Sequence, residues 1–161
     1  MNIFREISFL HGNTKGAIFL IGFRTASYFS QTKILRVIGF PLRVAYRLLF
    51  QWILGIDIPE GTKIGAGVNI FHGHGLVVHS ATLIGEYVTL RQNTTIGTAK
   101  PNGGSPILGN HVDVGANVVI IGDIMIGNNA VIAAGSVVIH SIPEDVVVAG
   151  NPAKIVRYLV K

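Results

Sequence analysis

The sequence predicts a mainly β protein: a parallel β-helix of six-residue rungs with an N-terminal α-helical segment. Three observations carry this. From Ile58 to Ile142 an apolar residue returns at every sixth position, first as Ile58, Ile64 and Ile70, then as Val78, Ile84, Leu90, Ile96, Leu108, Val114, Ile120, Ile126, Ile132 and Val138. Glycine follows directly at Gly65, Gly85, Gly97, Gly109, Gly115 and Gly127, and a small or β-branched residue stands two positions before the next apolar one, as at Thr62, Val68, Thr82, Val88, Thr94, Val112, Val118, Ala130 and Ser136. Before residue 57 the pattern changes to helical spacing.

A six-residue period is too short for a helical hairpin. The inward positions alternate, which is strand spacing. Each unit therefore reads as a short strand, with glycine expected near the bend because no Cβ obstructs an unusual backbone angle there. Three such strands close a triangular coil of about 18 residues, and coils stack at about the 4.8 Å strand spacing. The stacked aliphatic residues form a narrow dry core that one rung could not bury alone. A β-sandwich of short strands is the alternative, but a sandwich does not hold one frame over so many units.

Residues 1–56 form the helical segment. Ala17 to Phe29 and Lys33 to Leu54 carry apolar residues at i, i+3 and i+4, with a break near Gly39 and Pro41. The chain's net charge of +5 is concentrated here: seven basic residues face the single acid Glu6, whereas residues 57–161 carry six basic and seven acidic side chains. Neither run offers the eighteen or so uncharged residues that cross a bilayer. Two roles stay open: a cap on the open end of the coil stack, or a basic amphipathic surface (Leu35 to Trp52) on an anionic membrane. No cleavable signal peptide is evident, so the expected location is the cytoplasm, with peripheral contact at the inner face of the membrane under the second role.

The repeat region, 57–142, breaks twice. Between Ile70 and Val78 the frame slips by two residues, and the slip contains Phe71-His72-Gly73-His74-Gly75. Between Ile96 and Leu108 the frame holds, but residues 98–107 contain two prolines and two glycines, so this segment is expected to loop out. Loops on a rigid scaffold are where sites are commonly built. Residues 143–161 leave the repeat as a capping segment: a turn at Pro143, a short strand Val146–Ala149, the run Gly150-Asn-Pro-Ala-Lys154 and a final piece that covers an end or a side of the prism.

Composition narrows the chemistry. The chain has 161 residues, 49% hydrophobic and only 13% charged, which points to further burial between subunits. It has no cysteine, which removes disulfides, thiolate nucleophiles and cysteine–zinc sites. His72, His74 and His79 suit a zinc site in number. Nothing in a glycine-rich bend fixes their convergence, however, and no metal is expected. Nor does the repeat region, with its near-neutral balance, suggest nucleic acid.

The six-residue units, the spacing from Asp57 to His72, Gly135-Ser-Val-Val138 and Gly150-Asn-Pro-Ala-Lys154 together resemble the hexapeptide-repeat acyltransferases, in particular their serine acetyltransferase-like branch. The resemblance covers about residues 55–157. It implies a left-handed parallel β-helix, a homotrimer (or a dimer of trimers) and acetyl-CoA in a groove between prisms. It also implies that His72 deprotonates the acceptor and that Asp57 orients it. The chemistry needs such a pair, because a hydroxyl attacks poorly until a base takes its proton, and histidine ordinarily titrates near neutrality. Direct transfer without an acyl-enzyme suffices once thioester and hydroxyl are positioned. By the same resemblance Gly97, Thr98, Ala116 and Ala134 line the pantetheine track, and Lys154 and Arg157 meet the nucleotide phosphates.

Departures from that branch bear on the acceptor. Where serine acetyltransferases carry an aspartate before the histidine, this chain has Phe71. Where they carry an Arg-His pair before a proline, it has Gly104-Ser105 before Pro106. A free amino acid needs partners for both its charges, and losing several together costs well over a few kcal/mol of recognition. A pocket with Phe71 beside the base, and His74 and His79 nearby for acceptor contact, better suits a flat neutral glycan. The sequence is similar to acetyltransferases of capsular and colanic-acid polysaccharide clusters. The expected function is therefore O-acetylation of a sugar in an exopolysaccharide or its lipid-linked precursor. The alternatives are O-acetylation of serine or another small molecule, N-acetylation of an amino sugar, and a non-catalytic scaffold.

Overall fold

The computed structural model describes residues 3–10 and 12–159. Helices come first: α1 (Ile3–Ser8), α2 (Thr14–Tyr28), α3 (Lys33–Ile38) and α4 (Phe40–Tyr46), the last running into a π-helical stretch at Arg47–Ile53. Asn13 caps α2 and Thr32 caps α3, each side chain accepting a backbone N–H (Gly16 and Leu35) that the helix leaves free. The break expected near Gly39 is where α3 gives way to α4.

About five coils follow. The first carries β1 (Ile56–Asp57), β2 (Lys63–Ile64) and β3 (Asn69–Phe71), and the second β4 (Leu76–Val78), β5 (Leu83–Ile84) and β6 (Thr89–Arg91). Next come β7 (Thr95–Gly97), β8 (Ile107–Leu108) and β9 (Asp113–Val114), then β10 (Val119–Ile121), β11 (Met125–Ile126) and β12 (Val131–Ile132). The last coil has β13 (Val137–Val138), a bridge from Ile142 to Ile126, and β14 (Val146–Gly150). Strands stack into three parallel sheets, one per side: β1-β4-β7-β10-β13, β2-β5-β8-β11 and β3-β6-β9-β12-β14. After a cis Asn151–Pro152 bond, β15 (Ala153–Tyr158) turns back antiparallel along β14 and closes the third sheet.

The register records both interruptions. Ile107 pairs with Met125, a regular coil of three rungs further on. Ile56 pairs with Leu76, a step longer than the regular coil by the slip at His72. Leu83 pairs with Ile107, a step longer by one whole rung, because residues 98–106 loop out. The repeating apolar residues and their small partners from Val68 to Val138 are buried, as the period requires. Ile64, beneath the helices, is only partly so.

The expectation about glycine is corrected. None of the glycines that follow the apolar residues has positive φ; that conformation falls two residues later, at Gly67, Tyr87, His111, Asn117 and Asn129. Glycine is needed for close approach between coils. A Cβ on Gly65 would stand 2.5 Å from the Gly85 carbonyl carbon, and one on Gly85 2.5 Å from the Gly109 carbonyl oxygen.

The helices close the first coil, whose unpaired edge would otherwise face water. Phe19, Phe23, Tyr46 and Phe50 join the same apolar cluster as Ile56, Ile58 and Ile70. Polar side chains then serve the edge of each sheet. Tyr46 Oη donates to Ile58 O at 2.7 Å, Arg24 Nη1 to Ile64 O at 2.8 Å, and Asn13 Nδ2 to Ile70 O at 2.8 Å. Glu6 accepts from the Gly67 N–H and pairs with Arg24. Glu60, buried at the first corner, holds Arg43 at 2.9 Å and Arg47 at 2.6 Å. Burial pushes the Glu60 carboxyl upward, but hydrogen bonds from Arg47 and Arg43 outweigh it, so it lies below its ordinary value. The hydrogen bond that Arg47 donates to Glu60 in turn raises Arg47. Burial, with the charges of Glu60 and Asp57, pushes the Tyr46 phenol well up and keeps it a neutral donor.

Candidate active site

The corner from β3 to β4 contains the break in step. His72, Gly73 and Gly75 all lie at positive φ, at 64°, 68° and 69°. Gly73 N–H donates to Phe71 O, His74 N–H to His72 O, and Gly75 N–H back to Gly55 O at 2.9 Å. Gly73 is buried against Ile56, where a Cβ would stand 2.7 Å from Ile56 Cδ1. The two extra residues thus bulge outward while the core continues beneath them, and His72 is left exposed.

His72 forms the wall between two clefts. One, of about 300 Å³, is lined by Phe71, His72, Arg91, Gln92 and Ala116. The other, of about 160 Å³, is lined by His72 and His74 together with Lys15, Ile18, Phe50, Leu54 and Ile56, so the helical segment reaches the site. Strand pairing sets Arg91 beside Phe71, with its guanidinium 5.8 Å over the ring. The same guanidinium pairs with Asp113 and donates to Val114 O at 2.9 Å. Gln92 has a buried side-chain oxygen with no hydrogen-bond partner among the described residues. The larger cleft therefore offers an exposed base, an aromatic wall and an amide. Its one guanidinium is already engaged by a carboxylate.

Of the residues singled out in the sequence, Phe71, His72 and Ala116 meet in the larger cleft, and His74 joins His72 in the smaller. Asp57 is exposed on β1, one position beyond Ile56, and its carboxylate makes no hydrogen bond or ion pair with His72 or any other described residue. His79 lies elsewhere: its Nδ1 accepts the Ala81 N–H at 3.2 Å and stands 2.9 Å from Ser105 Oγ. Because a backbone N–H can only donate, Nδ1 is unprotonated and the Ser105 hydroxyl donates to it, which ties His79 to the protruding loop. Gly97 stands next to His79. Thr98 opens the loop, and Ala134 packs on Gly115 in the coil below. Lys154 and Arg157 are exposed on β15, at the far edge of the sheet that begins with β3. Five strand spacings, about 24 Å, separate those two strands. Among the described residues no group of three or more His, Asp or Glu side chains is placed to hold a metal ion.

Arg91, Gln92 and Asp113 were missed in the sequence. Adding the slip at His72 to the length of one regular coil would have put Arg91 on Phe71.

No protein-family model matches the chain. A serine acetyltransferase of Synechococcus elongatus is 38% identical over 110 residues, 67% of this chain and 45% of that protein. WcaB of Escherichia coli K12, a protein named for colanic acid biosynthesis as an acetyltransferase, is 36% identical over 116 residues, 71% of this chain and 72% of that protein. Among solved structures, the serine acetyltransferase of Brucella abortus in complex with coenzyme A matches with a TM-score of 0.78 and 30% identity, over 91% of this chain and 57% of that one. The chain thus spans less than half of the cyanobacterial relative, and most of WcaB.

Proposed function

The chain belongs to the hexapeptide-repeat acyltransferase family, and from that premise we propose that it transfers acetyl from acetyl-CoA to a sugar hydroxyl of an exopolysaccharide or its lipid-linked precursor. The observation that carries this reading is the cleft at His72. An exposed imidazole there stands between an aromatic face and an apolar pocket, and the guanidinium in the larger cleft is already held by Asp113. Phe71 gives a sugar ring a flat apolar surface, and Gln92 supplies hydrogen bonds to hydroxyls.

In the proposed reaction a ring nitrogen of His72 takes the acceptor's proton as its oxygen attacks the thioester carbonyl. The new C–O bond forms, the C–S bond breaks, and the proton leaves on the CoA sulfur. Asp57 is assigned to hold the other ring nitrogen once the acceptor is bound; in the free chain the two are not bonded. The donor would run along the coil stack past Ala116 and Ala134 toward Lys154 and Arg157. Outward apolar residues in register on one sheet, Leu83, Ile107 and Met125, support assembly of prisms side by side, which for this family we take as a homotrimer.

CoA release from acetyl-CoA, followed against a panel of sugars beside L-serine, tests the reading. Release with a sugar and none with L-serine is expected. Release with L-serine alone would move the assignment to the second reading, which the serine acetyltransferase relatives favour. His72→Ala should lower transfer about a thousandfold with the melting temperature unchanged; unchanged transfer would remove His72 as the base, and no CoA release with any acceptor would leave only a scaffold.

A further inference from the structure

The helical segment leaves many large apolar side chains exposed. Helix α3 buries none of its residues. Ile34 is 73% exposed, Val37 76%, Trp52 82% and Ile53 73%, with Ile38 and Phe40 beside them. Exposed apolar side chains concentrated in one segment mark an interaction surface. Its charge says what covers it. Between Glu6 and Asp57 there is no acidic residue, and the sequence adds Lys33 and Arg36 on α3 itself. Both are exposed and, among the described residues, neither has a carboxylate partner; Arg36 donates to Ser30 O, whereas Arg43 and Arg47 are occupied by Glu60. Paired with itself across a two-fold axis, this face would meet cations with cations. A sheet of anionic headgroups over acyl chains complements both features at once. No helix among the described residues is long and apolar enough to cross a bilayer, so the contact is with its surface.

We infer that the face of α3, α4 and the π-helical stretch docks on an anionic membrane, with Trp52 and Ile53 entering the acyl boundary and Lys33 and Arg36 at the headgroups. Phe50, from the same stretch, lines the smaller cleft at His72 and His74. The inference stands apart from acyl transfer: its readouts involve no acetyl-CoA, so either reading can fail alone.

Trp52 is the sole tryptophan, and its fluorescence reports on this face directly. The full chain is mixed with vesicles of phosphatidylglycerol and phosphatidylcholine, or of phosphatidylcholine alone, then sedimented. A blue shift of Trp52 and co-sedimentation with the anionic vesicles are expected. Lys33→Gln and Arg36→Gln should each weaken partitioning about fivefold. Val37→Ser with Ile53→Ser should weaken it tenfold or more, with thermal melting unchanged because both side chains are exposed. Three results would overturn the inference: no shift and no sedimentation, equal binding to neutral vesicles, or a lipid-free emission already blue-shifted that reverts on dilution, which would make the occupant a second copy.

Discussion

At the scale of single residues, backbone geometry decides what a side chain can do. His72 reaches out of the prism because the two-residue slip, with His72, Gly73 and Gly75 at positive φ, lifts it from a corner whose neighbours Ile70 and Gly73 stay buried. The rung glycines answer a different demand, the closeness of stacked coils, and this gives a paired prediction. Gly85→Ala puts a Cβ 2.5 Å from the Gly109 carbonyl oxygen and 2.6 Å from Asn110 Oδ1. Backbone must move, and a loss of about 2 kcal/mol is expected, read as a melting temperature lower by about 4–8 °C. Gly61→Ala meets nothing within 4 Å and has no positive φ. It should leave stability unchanged or raise it by up to about 1 kcal/mol. Equal losses at both sites in thermal unfolding would refute the packing explanation. His72 was legible because the repeat around it makes the slip conspicuous. Arg91 was not, since its place on Phe71 depends on counting across that slip.

At the scale of elements, the helical segment is tied to the prism through a few polar groups whose loss should loosen the whole cap. Glu60 holds both Arg43 and Arg47. Glu60→Gln leaves two guanidinium groups without their shared carboxylate and should cost about 2 kcal/mol, measurable by denaturant unfolding. The pH dependence has a definite sign. The folded-state value of Glu60 is depressed, so its contribution is complete above the ordinary carboxylate range, near pH 4.3, and fades as pH falls through the folded value. Wild type should therefore lose its advantage over Glu60→Gln on acidification. A gap between the two that stays constant from pH 7 to pH 3 would count against this account. Helical spacing made α2 and the break at Gly39 readable. It could not reveal that Tyr46, Arg24 and Asn13 would each serve a different sheet edge, because those partners lie far along the chain.

At the scale of the whole molecule, two separate surfaces carry the proposed contacts: the outward apolar stripe of Leu83, Ile107 and Met125 for other prisms, and the exposed helical residues for lipid. If the proposed trimer packs through this stripe, Ile107→Glu in its middle should shift the chain toward monomer in sedimentation equilibrium; a trimer unaffected by that charge would place the interface on another side, and a wild-type monomer would overturn the assembly. The β-helix itself was determined by the sequence, because each rung repeats the same local rule: an apolar residue inward, a small one two positions before it, and no Cβ where coils approach. A rule that recurs with every rung can be read without knowing what lies above or below. Which side chains meet across coils was decided only in the tertiary structure. Arg91 on Phe71, His79 on Ser105 and the helices on the first coil all depend on register, and register adds up the lengths of the insertions before it. Local periodicity is blind to that sum.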